Sequence, residues 1–238
     1  MKIMTFNVQH FLDYKNQVID FELFAGYIKK QDADFCGLNE VRGEGPLKGY
    51  TDQINTVADK IGCERYFGEA IKVMGTSPYG NAFVTKHKIK SVSTIKIPSP
   101  VIRLERASYE SRCVIRSVVE IDGRDIMFLV CHMGLAKSER KRAVNAICRI
   151  LDESDLPCIL MGDFNTTPDN GVLEPIYARL EDTDACVVNK GHATYPSDSP
   201  RDKIDYMFFR GLTCKKCVTL IDVVSDHLPI VAEFEFCP

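Results

Sequence analysis

The chain of 238 residues has no tryptophan and almost no surplus of charge: 30 Lys and Arg oppose 33 Asp and Glu, leaving a formal charge of −3. The apolar run at 126–131 falls far short of the ~20 residues a membrane-spanning helix needs. The first residues, Met1-Lys2-Ile3-Met4-Thr5-Phe6-Asn7, carry no hydrophobic stretch ahead of their polar positions, so no secretory signal is read there. Its 15 glycines and 11 prolines are scattered singly, which excludes collagen-like and low-complexity chains, and 45% apolar content excludes disorder. No glycine-rich loop ending in Gly-Lys-Ser/Thr is present, which argues against NTP-driven phosphoryl transfer. No Gly-x-Ser-x-Gly elbow is present either, which argues against a serine hydrolase. What remains is a mildly acidic chain expected in the cytoplasm.

Cysteine is the residue present in excess, 10 in all. Cys36, Cys131, Cys158 and Cys186 lie in apolar runs, where a thiol behaves as a small buried hydrophobe. Cys214-Lys215-Lys216-Cys217 has the spacing of half a zinc site, but no second CxxC or HxxxH follows to complete four ligands.

Short β-like runs alternate with helical ones along the whole length. Strands are expected at 2–8, 35–41, 81–85, 91–97, 113–121, 125–131, 156–161, 203–209, 218–223 and 229–236. Helices are expected across Phe21, Leu23, Phe24 and Ile28, over 51–61 and over 137–151, where Ala143, Ile147, Ile150 and Leu151 make one apolar stripe. Asp122-Gly123 reads as a tight hairpin turn. The alternation favours an α/β architecture, and the hairpin argues against a purely parallel sheet.

Polar residues recur where an apolar strand ends. Asn7, Glu40, His132 and the pair Asp163 and Asn165 each follow such a run, while Asp226 and His227 precede one. Singly, each has a bland reading: a turn residue, a solvated carboxylate, a helix cap. Together they form a set of oxygen and imidazole donors at the positions where rigid scaffolds present functional groups. Carboxylates and amides without thiolates suit a hard cation, Mg²⁺ or Mn²⁺. Two histidines with spare carboxylates supply proton transfer and stabilise developing negative charge. The donor set points to metal-assisted attack of water on a phosphate ester.

These residues carry a family resemblance. Thr5-Phe6-Asn7-Val8, Leu38-Asn39-Glu40-Val41, Cys131-His132-Met133-Gly134, Gly162-Asp163-Phe164-Asn165-Thr166, Lys203-Ile204-Asp205-Tyr206 and Ser225-Asp226-His227-Leu228-Pro229 resemble, in order, the motifs of the endonuclease/exonuclease/phosphatase superfamily with its deoxyribonuclease I-like fold. The resemblance implies one domain over 1–238: a four-layer sandwich of two packed mixed β-sheets flanked by helices. It implies Glu40 as principal metal ligand, with Asn7 and Asp226 as direct or water-mediated ligands. Asp163 and Asn165 would orient the attacking water and the phosphate. His227 would be the catalytic histidine, Asp205 the carboxylate fixing its ring, and His132 a contact to phosphate oxygens. Asn81, ahead of a strand, and Arg112, a bidentate clamp for phosphate, are softer candidates for substrate binding. His10, His87 and His192 read as ordinary surface or loop residues.

The superfamily includes nucleases, repair enzymes, sphingomyelinases, inositol-phosphate phosphatases and deadenylases. Near-neutral charge and a chain short for the fold favour a compact, monomeric phosphodiesterase or phosphatase acting on a small or lipid-derived ester. A DNA or RNA nuclease is the alternative. A catalytically silent binding module stands behind both.

Overall fold

The computed structural model describes residues 1–186 and 193–237. In chain order its elements are β1 (Lys2–Asn7), β2 (Leu12–Asp13), β3 (Val18–Ile19), α1 (Phe21–Gln31), β4 (Phe35–Arg42), α2 (Gln53–Ile61), β5 (Glu64–Val73), β6 (Ser77–Thr85), β7 (Ile89–Ile97), β8 (Arg112–Ile121), β9 (Arg124–His132), α3 (Lys137–Asp152), β10 (Cys158–Asp163), α4 (Glu174–Tyr177), β11 (Glu181–Asp182), β12 (Asp205–Arg210), β13 (Leu212–Thr219) and β14 (Ile230–Phe236).

Twelve of these strands form two sheets. The first runs β13-β14-β1-β4-β6-β5 and the second β11-β12-β10-β9-β8-β7, while β2 and β3 pair as a separate hairpin. Each sheet is mixed in the same way. A central parallel pair, β1 with β4 or β9 with β10, has antiparallel neighbours on both sides. The parallel pairing ends at Asn7 opposite Asn39 in the first sheet, where β4 runs on to Arg42, and at His132 opposite Asp163 in the second, where both strands stop.

Side-chain parity then decides the layers, because alternate residues of a strand face opposite sides. From β4, Phe35 enters the core between the sheets, while Cys36 and Leu38 pack under α1 and α2. From β9, Phe128 and Val130 face the other sheet, while Met127 and Leu129 pack under α3. The rings of Phe35 and Phe128 stack 4.0 Å apart across the gap. Gly37 faces the same gap, where an added Cβ would lie 2.7 Å from the Met161 sulfur. With strands buried on both faces, their sequences read as continuous apolar runs, as in Cys158-Ile159-Leu160-Met161.

The helix ends are locally specified. Asp20 caps α1 by accepting from the Leu23 N–H, and Asp52 caps α2 by accepting from the Asn55 N–H. Gly62 ends α2 with φ +81°. The first turn of α3 is capped from a distance: Glu105 accepts from the N–H groups of Lys137 and Ser138, at 2.6 and 2.9 Å.

Several expectations shift. β5 has no counterpart among the expected strands, β6 begins at Ser77 rather than at 81, and β13 begins six residues before the strand expected at 218–223 and ends four before it. A register shift between Cys214 and Lys216 lets β13 carry two lysines and still place Cys217 opposite buried Ala232. The described cysteines are all free thiols, and Cys214 and Cys217 join no metal-type cluster among the described residues.

Candidate active site

The parity that builds the core also builds the site. Ile3, Thr5 and Asn7 share one face of β1, and Phe35, Gly37 and Asn39 share one face of β4; both faces look into the gap between sheets. On the second sheet Val130 and His132, Met161 and Asp163, and Asp205 and Met207 look into that gap from the opposite side. The apolar filling stops at the strand ends, and the polar residues take its place.

Glu40 breaks the alternation deliberately. Its φ of +62° lies in the left-handed region, and the β4–β6 register slips between Leu38 and Val41. This bulge turns a side chain due to face α1 toward the sheet edge instead. Asn165, at φ +49°, makes the corresponding turn after β10.

Asn7 joins the two edges. Its Nδ2 donates to Glu40 Oε1 and to Asp163 Oδ2, both at 3.1 Å, and its Oδ1 accepts from the Gln9 N–H. Asp163 Oδ2 lies 3.4 Å from His132 Nε2 and 3.8 Å from His227 Nε2, and Oδ1 accepts from the Asn165 N–H at 2.8 Å. His227 Nδ1 meets Asp205 Oδ2 at 2.8 Å, which leaves Nε2 turned to Asp163. The ring of Tyr195 covers His227 at 4.8 Å. Thr194 and Ser197, both buried, pin the segment holding Asp226 and His227 through the Leu228 and Ser197 N–H bonds.

Burial sets the electrostatics. It pushes the Asp163 carboxyl well above the usual carboxylate range; His227 opposes that shift and Asp205 adds to it. For His227, burial alone would lower the imidazole, but the charges of Asp205 and Asp163 outweigh it and hold the ring protonated. His132 goes the other way: burial, with Arg112 and His227 nearby, keeps it neutral. Burial also raises Asp226, with Glu40 adding to the shift and His227 opposing it.

Two sets of carboxylate and imidazole atoms lie within 4.8 Å of one another: Glu40, His132 and Asp163, and Asp163, Asp205 and His227. Among them are oxygen and nitrogen donors and no thiol, a donor chemistry that fits a hard divalent cation. Asp226 stands outside both sets, its carboxylate accepting from Ser225 Oγ at 3.1 Å.

The softer candidates land differently. Arg112 sits at the cleft but is already engaged, with Nη1 2.8 Å from Glu110 and 3.3 Å from His132 Nδ1. Asn81 is 1% exposed, and its amide is engaged inside the protein: its Oδ1 accepts from Asn39 at 2.9 Å and its Nδ2 donates to the Cys113 carbonyl at 3.0 Å. Its partner Asn39 is the residue the sequence reading passed over. Asn39 Nδ2 also donates to the Cys131 carbonyl and Oδ1 accepts from the Asp163 N–H, each at 3.0 Å, so one buried amide ties β4 of the first sheet to β9 and β10 of the second. The parity that puts Phe35 and Gly37 in the gap was the signal that could have found it.

His10 lies in the connection between β1 and β2, half-buried rather than at the open surface. It sits in a run of three left-handed residues, Gln9, His10 and Phe11, with its carbonyl accepting from Gln53. Burial, and then Arg42, depress its imidazole to about 4, against the pull of Glu40. His87 pairs with Asp34 at 2.9 Å, away from the site, and His192 lies outside the described residues.

Two mixed sheets face to face, with helices outside and this cluster at their common edge, define the deoxyribonuclease I-like fold. The chain belongs to the endonuclease/exonuclease/phosphatase family, whose model matches residues 4–227. Among solved structures it is similar to an endonuclease/exonuclease/phosphatase family protein from Leptotrichia buccalis, at 24% identity over 99% of this chain and 100% of that one, with TM-score 0.79. A mannosyl-6-phosphatase of Bacteroides thetaiotaomicron aligns at 16% identity, over 99% and 100% of the two chains, with TM-score 0.79. The human Nocturnin catalytic domain with bound sulfate aligns at 17% identity, over 100% and 94%, with TM-score 0.70. No curated protein matches the chain. Among the described residues, no helix is long and apolar enough to cross a membrane.

Proposed function

We propose that the protein is a divalent-metal-dependent hydrolase that cleaves phosphate esters by in-line attack of water, using Mg²⁺ or Mn²⁺. The observation that carries this reading is the setting of Asp163: a buried carboxylate with a raised pKa, between a protonated and a neutral imidazole and bridged by Asn7 to Glu40. Glu40, with Asn7 and Asp226 nearby, would hold the cation, which when bound polarises a phosphoryl oxygen. Asp163 accepts the proton of the attacking water, and its raised pKa makes it a better base than an ordinary carboxylate. Asn165, tied to the Met133 carbonyl at 2.9 Å, fixes the water and phosphate against Asp163. His227, oriented by Asp205, places positive charge against the phosphoryl oxygens as negative charge builds. His132 and Arg112 flank those oxygens from the second sheet.

The donors come from residues 7 through 227 and from both sheets, which supports one working domain over 1–238. The ten cysteines suit a reducing cytoplasm. A compact monomer acting on a small or lipid-derived ester is favoured over a nuclease by the net charge of −3, and the mannosyl-6-phosphatase neighbour is in keeping with a small ester. Purified protein with Mg²⁺ or Mn²⁺ is expected to hydrolyse p-nitrophenyl phosphate or bis-p-nitrophenyl phosphate, and Asp163→Ala and His227→Ala are expected not to. Activity that survives both substitutions removes the assignment. Plasmid nicking far faster than cleavage of the small esters makes the nuclease reading the correct one.

A further inference from the structure

The connection between β7 and β8 is far longer than its task requires. Ile97 pairs directly with Arg112, so two antiparallel neighbours are joined at the catalytic edge by residues 98–111 where two to five residues suffice. The extra length is not slack. Ser99 N–H donates to Ser111 Oγ at 3.0 Å, Ser99 Oγ and the Glu110 N–H both donate to buried Glu139, and Glu105 grips the first turn of α3. Arg103 lies over the Tyr109 ring, 5.5 Å from its centroid.

What this braced loop presents is apolar. Val101 is 95% exposed, Ile102 71% and Leu104 88%, and Leu135, just ahead of α3, is half exposed. A loop anchored on both sides of its tip, with bare aliphatic side chains at the tip, marks a surface built to be covered. Its charge says by what. Arg103 lies among the aliphatics and Arg106 just beyond them, Lys137 and Lys141 follow on α3, and Arg142 and Arg149 line a groove of about 300 Å³ at the root of the loop, beside a Lys96 that is paired with Glu69. The acids nearby are already engaged: Glu105 with the helix N-terminus, Glu139 with the loop, Glu110 with Arg112. A chain of net charge −3 thus shows a locally basic, aliphatic-tipped face beside its cleft. Aliphatic tips suit an acyl boundary, and long cationic side chains beside them reach the headgroups.

We propose that the loop 98–111 is a docking element for an anionic lipid surface. Val101, Ile102 and Leu104 enter the acyl boundary and the surrounding cations meet acidic headgroups. Arg112 closes the loop and stands against His132, so docking lays the cleft along the membrane surface. The inference rests on the phosphoesterase reading only in choosing the cleft as the part brought to the lipid; docking itself is independent of catalysis.

The test is co-sedimentation of the full chain with phosphatidylcholine vesicles with and without phosphatidylserine, alongside hydrolysis of soluble p-nitrophenyl phosphate. The wild type is expected to bind the phosphatidylserine vesicles and to lose binding as salt rises. The triple variant V101S/I102S/L104S is expected to weaken binding at least about tenfold. R103E/R106E is expected to abolish the preference for anionic vesicles. Both variants should hydrolyse the soluble ester like wild type, which shows that they are folded. Wild-type protein that ignores anionic vesicles, or a triple variant that binds as well as wild type, overturns the proposal. Self-association of the wild type that the triple variant abolishes, without vesicle binding, assigns the surface to a second copy of the chain instead. Absence of hydrolysis by the wild type counts against the phosphoesterase reading and leaves the vesicle result to stand or fall alone.

Discussion

The two sheets end alike and offer opposite chemistry. Each has a central parallel strand pair whose last paired residues are polar on the face between the sheets. The first sheet delivers Glu40 on a left-handed bulge that reaches toward the outside, partly exposed. The second delivers Asp163 and His132 at 1% and 5% exposure, with Asp205 and His227 against them. A partly exposed carboxylate is open to a cation. A buried one, flanked by imidazoles, is forced to share protons. The same functional group, a carboxylate, is suited to two roles because one strand end is bulged outward and the other is not.

Asp163→Asn should break the proton-handling side most severely, lowering kcat on bis-p-nitrophenyl phosphate by roughly 10³- to 10⁴-fold. Because burial raises the Asp163 pKa, the folded chain binds a proton there that the unfolded chain has released above the ordinary carboxylate range. Its ionisation therefore costs stability as pH rises through that window. In metal-free buffer near neutrality the variant should melt at or above the wild-type temperature; a large loss of Tm would contradict this account.

Asp205→Asn tests the same side more gently. It should cost about a hundredfold or more in kcat and move the alkaline limb of the pH–rate profile to lower pH. The direction follows from His227: its raised pKa means that the imidazolium contribution is complete below the unfolded value and lost as pH climbs through the folded one. Without Asp205 that loss comes earlier. An alkaline limb that stays in place would remove His227 from the protonated role.

Glu40→Gln addresses the other edge. Mg²⁺ or Mn²⁺ should raise the wild-type Tm, and the variant should need roughly 10- to 100-fold more cation for the same shift. Equal responses in thermal melts would separate Glu40 from the cation. The smallest change in rate, and a clear one in stability, is expected from Asn39→Ala. Loss of the amide strands the Asp163 N–H, the Cys131 carbonyl and the Asn81 side chain, about 2–4 kcal/mol by urea unfolding. A variant as stable as wild type would show that the sheets hold together without it.

Much of this was open to reading in the amino-acid order. Strands buried on both faces leave long apolar runs, and a polar residue ending such a run marks the sheet edge, which is how Asn7, His132 and Asp163 stand out. The two-sheet layering followed from the family motifs. β5 escaped because Glu64-Arg65-Tyr66-Phe67 begins an edge strand whose partly exposed, charged face dilutes the apolar signal. His10 escaped because its placement depends on a left-handed turn that no glycine announces. Asn39 escaped because its neighbour Glu40 carries the conspicuous charge, and no local pattern announces that the amides of Asn39 and Asn81 meet.

The position of Asn39 has a consequence for the life of the chain before it is finished. One of its bonds holds the backbone of Asp163, 124 residues further along, and another holds the end of β9. A nascent chain that has reached only β6 carries Asn7, Asn39 and Glu40 but not Asp163, and it still lacks β13 and β14 of its own first sheet; sheets that part take the Asp163 backbone away from Asn39. With Asp163 as the base proposed above, hydrolysis would require both sheets to be docked, and half-made or half-degraded copies are expected to be chemically mute.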